Sequence, residues 1–132
     1  MIVAGVGCRR GAPAGDVEAA IRAALARAEI GVDALDAIAT ITRKGAEPGI
    51  MAAAETFGVG VVRVSATELK TASERAVTRS ARVLALTGVA SVAEAAALAA
   101  AGSAARLISP RLVVGAATCA LAATEAAPDA GP

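Results

Sequence analysis

The chain has no histidine, no tryptophan and no tyrosine, and its single phenylalanine is Phe57. Without histidine there is no Ser-His-Asp or Cys-His catalytic arrangement, and the commonest side-chain ligand of transition metals is missing. Two cysteines far apart in sequence, Cys8 and Cys119, do not make a four-ligand zinc site. No metal site is expected, and an enzyme that inserts a metal through histidine is excluded. The scarcity of aromatic rings removes the stacking platforms on which single-stranded nucleic acids are held. A surplus of one charge is lacking too, with 13 basic residues against 12 acidic ones. A general nucleic-acid binder carries a marked basic excess, so no nucleic-acid partner is expected and any basic site must be local. No stretch reaches the roughly 18 strongly apolar residues of a spanning helix, so no membrane partner is expected either. The N-terminus enters a strand-like run at once, without the basic region of a secretion signal. With so few cysteines, this places the chain in the reducing cytoplasm.

What is present is small and apolar. Of 132 residues, 56% are hydrophobic, much of that alanine, which signals close-packed helices in one domain with a full-sized core. The chain is organised around Ile2-Val3-Ala4-Gly5-Val6-Gly7-Cys8-Arg9-Arg10-Gly11, an apolar run that stops at glycines, presents two arginines and gives way to an amphipathic segment. That order reads as buried strand, tight loop and helix. Ligands of open α/β sheets sit in such loops, where backbone N–H groups and a helix dipole attract anions. Guanidinium groups add bidentate contacts to carboxylate or phosphate.

The first helix is expected from Pro13 or Asp16 to about Glu29, with Val17, Ile21, Leu25 and Ala28 on one stripe. Glu18 and Arg22 pair on the opposite face, and Gly31 supplies a left-handed end. A second strand covers Ala37–Ile41, followed by the basic loop Thr42-Arg43-Lys44-Gly45-Ala46-Glu47-Pro48. Pro48 opens a helix that buries Ile50, Met51, Ala54 and Phe57 and stops at Gly58. Val59–Val64 is a third strand, with Arg63 on one face. Ser65-Ala66-Thr67-Glu68 and Ser91-Val92-Ala93-Glu94 both have capping-box spacing. Lys70–Leu86 reads as helical turns or loop, with a strand at Val83–Leu86 as the alternative. The alanine helix from Ser91 to about Ala101, ended by Gly102, should lie tightly on the sheet. Arg106–Ile108 is a strand followed by a turn at Ser109-Pro110-Arg111, and Ala116–Leu121 is the last strand. The fold expected is a single three-layer α/β/α domain over residues 1–123, with a mostly parallel or mixed sheet of about five strands. Residues 124–132 read as a frayed tail.

Gly5 and Gly7 fit the start of a dinucleotide fingerprint, but Arg10 stands where glycine is required. Thr42 and Arg43 stand where the acidic residue belongs, so no cofactor is expected. Arg9 and Arg10 follow the first strand, Arg43 and Lys44 the second, and Arg111 the segment Arg106–Ile108. If those strands are parallel, these cations converge on one edge; otherwise they are solvated surface charges. Cys8 is either a thiol activated by basic neighbours or a small packed residue, whereas Cys119 belongs to the core. Glu47 is the one carboxylate in a basic loop. It is a candidate general base or a helix-start residue favoured by the dipole. Glu94 reads as a cap.

These segments resemble the CobE/CbiG C-terminal-domain family of cobalamin (vitamin B12) biosynthesis. The likeness rests on Gly5–Gly11 with its helix, Lys44 with Glu47-Pro48-Gly49, Ser65–Leu69, Gly88–Leu98 and Thr118–Ala122. It implies an α/β/α fold with a mixed sheet and a cytosolic protein of the corrin-ring pathway, of the stand-alone kind found in the aerobic branch. The two-domain relatives of the anaerobic branch open a lactone on cobalt-precorrin-5A with loss of acetaldehyde. Thr42 and Ala46 depart from the family's acidic residues and Arg111 from its lysine, which points to binding rather than catalysis. Together with the basic loops, the resemblance implies substrate-binding residues Gly7, Cys8, Arg9, Arg10, Gly11, Lys44, Glu47, Ser65, Gly88, Ser91 and Arg111. The ligand implied is a polycarboxylate tetrapyrrole or corrin intermediate. Other corrin-pathway enzymes are expected partners, and the alternative is lactone hydrolysis with Glu47 as base, or a role as the subunit that completes such an enzyme.

Overall fold

The computed structural model describes residues 1–41, 47–79, 92–102 and 104–124. Strand β1 (Ile2–Cys8) leads to helix α1 (Ala14–Arg27), a short 3-10 turn at Val32–Ala34 and strand β2 (Ala37–Ile41). Helix α2 (Pro48–Phe57), strand β3 (Gly60–Val64) and helix α3 (Ala66–Arg79) follow. Helix α4 (Val92–Ala101) and strands β4 (Arg106–Val114) and β5 (Ala117–Ala123) complete the chain. The five strands form one mixed sheet in the order β3-β2-β1-β5-β4. Strands β1, β2 and β3 are parallel neighbours, and β5 runs antiparallel to both β1 and β4. Strand β4 therefore points the same way as β1, and the carboxyl ends of four strands share one edge.

Helices cover both faces. Val17, Ile21 and Leu25 of α1 and Ile50, Ala53 and Ala54 of α2 pack on Ala4, Val6, Ile38 and Leu121. On the other face, Ala95, Ala96, Ala97, Leu98 and Ala101 of α4 and Ala72 of α3 pack on Val3, Ala39 and Ala122. The alanine helix lies as close to the sheet as its composition implies. A Cβ placed on Gly5 would sit 2.7 Å from Ala97 N and 2.8 Å from Ala97 Cβ, so β1 carries glycine where α4 crosses it.

Several expectations are corrected. Helix α1 ends not at Gly31 but through Glu29, at φ 59°. Ile30 N–H donates to Leu25 O at 2.9 Å and Glu29 N–H to Ala26 O at 3.0 Å, a Schellman end in which Ile30 packs on the core and so holds Glu29 left-handed. Glu18 and Arg22 do not face solvent as an isolated pair. The Thr56 hydroxyl donates to Glu18 Oε2 at 3.2 Å, and the Arg22 guanidinium lies 4.9 Å from the Phe57 ring centre, so both side chains tie α1 to α2. Met51, expected inside, is 47% exposed, and Ala53 takes its place in the core.

The largest correction concerns Ser109-Pro110-Arg111, expected to be a turn. β4 runs straight through it with register shifts between Leu107, Ser109 and Leu112. Pro110 cannot donate to a ladder, but an edge strand with a bulge has no need of that donor. Arg27 secures the bulge: its Nε and Nη2 donate to Ser109 Oγ at 3.1 and 2.8 Å, and Nη2 also to Pro110 O. The true turn lies at Gly115-Ala116. Gly115 there has φ 56°, the left-handed first position that a two-residue Gly-X hairpin requires.

Lys70 and the residues up to Arg79 are helix. The alternative strand at Val83–Leu86 and the segment 125–132 lie outside the described residues. Thr124, expected in the tail, exchanges backbone hydrogen bonds of 3.0 Å with Met1, and its hydroxyl donates to Ala101 O.

Candidate functional site

A cleft of about 370 Å³ opens where β1 and β2 end. Its floor is Gly7, Cys8 and Arg9, leaving β1, together with Thr40 and Ile41 of β2. One wall is the β4–β5 hairpin, through Val113, Gly115, Ala116 and Thr118, and the other is Val92, the first residue of α4. Val113 is 64% exposed and Val92 44%, so an apolar rim stands over a floor of small and polar groups. Thr40 is fully buried and its hydroxyl donates to Val6 O at 2.8 Å, pinning the end of β2 to β1. A Cβ on Gly7 would meet nothing within 4 Å. This glycine is not demanded by packing; it leaves the floor bare.

The turn after β1 is fastened from several sides. Arg9 N–H donates to Ala116 O at 3.0 Å and Ala12 N–H to Arg9 O at 3.0 Å. Gly11 N–H donates to Glu47 Oε1 at 2.6 Å. The carboxylate of Asp16 accepts the Ala116 N–H at 2.9 Å. The expected cradle of free backbone donors is therefore largely consumed by the protein itself. What the turn offers an anion is guanidinium: Arg9 and Arg10 are both exposed, and Arg9 lines the cleft.

The other site residues expected from sequence are distributed as follows. Glu47 sits beside the turn through Gly11, at the start of α2, and does not line the cleft. Ser65 follows β3 on the same sheet edge, where it forms the expected capping box. Ser65 N–H donates to Glu68 Oε1 at 2.9 Å and Glu68 N–H to Ser65 Oγ at 3.1 Å. Hydrogen bonds from the Ser65 backbone, and secondarily from its side chain, hold the Glu68 carboxyl below its ordinary pKa. Arg111 is exposed inside β4, three residues short of its end, with its N–H donating to Glu94 Oε2 at 3.2 Å. Glu94 is nearly buried, at 7% exposure, and thus ties α4 to β4. Arg43, Lys44, Gly88 and Ser91 lie outside the described residues, as do Thr42 and Ala46. Cys119 is core, its thiol pushed up to about 12 by burial. Cys8 is half-buried in the cleft floor.

Sequence reading missed Thr40, Ile41, Val92, Val113, Gly115, Ala116 and Thr118. Two signals were available. Thr40 and Ile41 end a strand parallel to β1, and a glycine between two apolar runs marks a hairpin.

The protein is an open-sheet α/β domain with a cleft outside the carboxyl ends of its parallel strands, the position that ligands commonly take in folds of this class. More narrowly, the chain belongs to the cobalamin-biosynthesis family described as "Cobalamin synthesis G C-terminus", which it matches over residues 2–122. It is 40% identical to "Protein CobE" of Sinorhizobium sp over 121 residues, 92% of this chain and 79% of that one. Among solved structures it resembles the cobalamin biosynthesis protein chiG from Agrobacterium tumefaciens, at 42% identity and TM-score 0.76 over 95% of this chain and 99% of the other. It also resembles crystalline CobE, at 36% identity and TM-score 0.77 over 92% and 89%. A cobalamin biosynthesis protein G homologue from Sulfolobus solfataricus shares the fold, at 23% identity and TM-score 0.69 over 94% of this chain and 36% of that one. None of the helices among the described residues is long and apolar enough to cross a membrane.

Proposed function

We propose that the protein binds a polycarboxylate corrin-ring precursor at this cleft, with the Gly7–Gly11 turn at the point of contact. The observation that carries the reading is the meeting of Gly7, Cys8 and Arg9 with Ile41 and the apolar rim of Val92 and Val113 in one cleft. A corrin precursor is a flat apolar ring with many acetate and propionate arms. An arm laid over bare Gly7 brings its carboxylate toward Arg9 and Arg10, while the ring edge rests on aliphatic side chains in place of aromatic ones. The cleft is small for a whole macrocycle, so it takes one edge and leaves the remainder for a neighbouring enzyme of the pathway to receive.

The hydrolase alternative, with Glu47 as base and an arginine stabilising the oxyanion, draws less support. Glu47 already accepts the Gly11 N–H and stands outside the cleft lining.

Titration with hydrogenobyrinic acid, followed by visible absorbance, tests the reading. Binding in the micromolar range that weakens with added salt is expected. Arg9→Ala/Arg10→Ala should abolish it, and Gly7→Val should block it without lowering stability. No spectral change at any salt concentration overturns the proposal. Turnover of a lactone-bearing precursor that is lost in Glu47→Gln would establish the hydrolase instead.

A further inference from the structure

We infer that Asp16 is a positioning residue that sets the width of the cleft by holding the β4–β5 turn against the Gly7–Gly11 turn. The inference rests on the cleft being the binding site, and its structural part stands independently. Asp16 lies in the first turn of α1, where an acid is ordinarily read as a partner of the helix dipole. Its carboxylate instead reaches across 100 residues of sequence to the Ala116 N–H, at 2.9 Å. It also occupies the space beside Gly115: a Cβ there would lie 2.8 Å from Asp16 Cγ and 3.1 Å from Oδ1. Both carboxylate oxygens thus face the hairpin turn, and the turn fits them only with glycine at its first position, where φ is 56°.

Ala116 is held from the other side as well, since its carbonyl accepts the Arg9 N–H at 3.0 Å. Asp16, Ala116 and Arg9 form a chain of contacts that fixes the distance between the cleft's floor and its hairpin wall. Gly115, Ala116 and Arg9 all line the cleft, whereas Asp16 does not. It acts through them. A charged acceptor makes this the stronger kind of hydrogen bond, and among the described residues no other side chain bonds to Gly115 or Ala116.

Two cysteines provide a reporter that needs no ligand. Cys8 is in the cleft floor, while Cys119 is fully buried with its thiol pushed up to about 12, so a thiol reagent at neutral pH reads Cys8. In Asp16→Ala the labelling rate of Cys8 should rise several-fold and corrinoid affinity should fall about tenfold, as expected for loss of one charge-assisted bond. Asp16→Asn, which keeps an acceptor oxygen at the same reach, should restore both. Should Asp16→Ala fail to fold, Asp16→Ser, too short to reach Ala116, replaces it. Unchanged Cys8 labelling in the shortened variants overturns the inference even where the wild-type protein binds the corrinoid. A wild-type protein that binds no corrinoid overturns the functional reading instead, and labelling alone then decides the role of Asp16.

Discussion

The two faces of the sheet are packed on opposite principles. Beneath α1 and α2 lie the large fully buried side chains: Ile21, Leu25, Ile38, Ile50 and Leu121. Beneath α4 there is mostly alanine, so close to the strands that Gly5 is the residue β1 accommodates there. The first face depends on volume and the second on clearance. Losing a methyl group harms the first, whereas gaining one harms the second. The thin face also delivers Val92 to the rim of the cleft, because a helix pressed onto the sheet brings its first residue near the strand ends.

The contrast is most directly broken at Gly5. Gly5→Ala puts a Cβ against Ala93 O and Ala97 N, backbone atoms that yield only if α4 moves. We expect a loss of about 3 kcal/mol or more by urea denaturation, with weaker corrinoid binding as Val92 shifts. A midpoint equal to that of the native protein would show that the thin face has slack. Next in size is Arg27→Ala. It deprives Ser109, 1% exposed, and the Pro110 carbonyl of their donor, and should cost about 2 kcal/mol in the same measurement. Ile21→Val removes a single methyl from the thick face and should cost about 1 kcal/mol. If it costs as much as Gly5→Ala, volume and clearance do not distinguish the faces.

The smallest effect is electrostatic and lies at the start of α3. Glu68 is held below its ordinary pKa of 4.5 by donors on Ser65, so its carboxylate favours the folded form. That contribution is fully present above the unfolded-state value and is lost as pH falls through the lower folded one. Amide protection factors in the first turn of α3, corrected for the intrinsic pH dependence of exchange, should therefore fall on acidification below pH 4.5. Glu68→Gln should remove this pH dependence.

Much of the architecture could be read from short-range pattern. The stripe of Val17, Ile21 and Leu25, Pro48 ahead of Ile50, Gly58 at a helix end and the reciprocal Ser65–Glu68 bonds are all local features, and each appears where spacing placed it. What misled was also local. Ser109-Pro110-Arg111 has turn composition, but an edge strand clasped by Arg27 absorbs it. Glu29 lacks glycine's freedom, yet Ile30 holds it left-handed. In the site, Gly7, Cys8 and Arg9 were legible as the loop ending β1. Val113, Gly115, Ala116 and Thr118 were not, because an antiparallel return strand brings them from the far end of the chain.

Composition and spacing alone determined the fold class, the absence of histidine chemistry, and the glycine-arginine turn after the first strand, since these depend on residue type and near neighbours. Only the tertiary structure decided that the turn spends its N–H groups on Ala116 and Glu47, that Asp16 accepts the Ala116 N–H, and that Val92 and Val113 line one cleft with Gly7. The bonds to Ala116 join residues 100 or more positions apart. A contact across that span is set by how strands order and helices close on the sheet, which no local periodicity encodes.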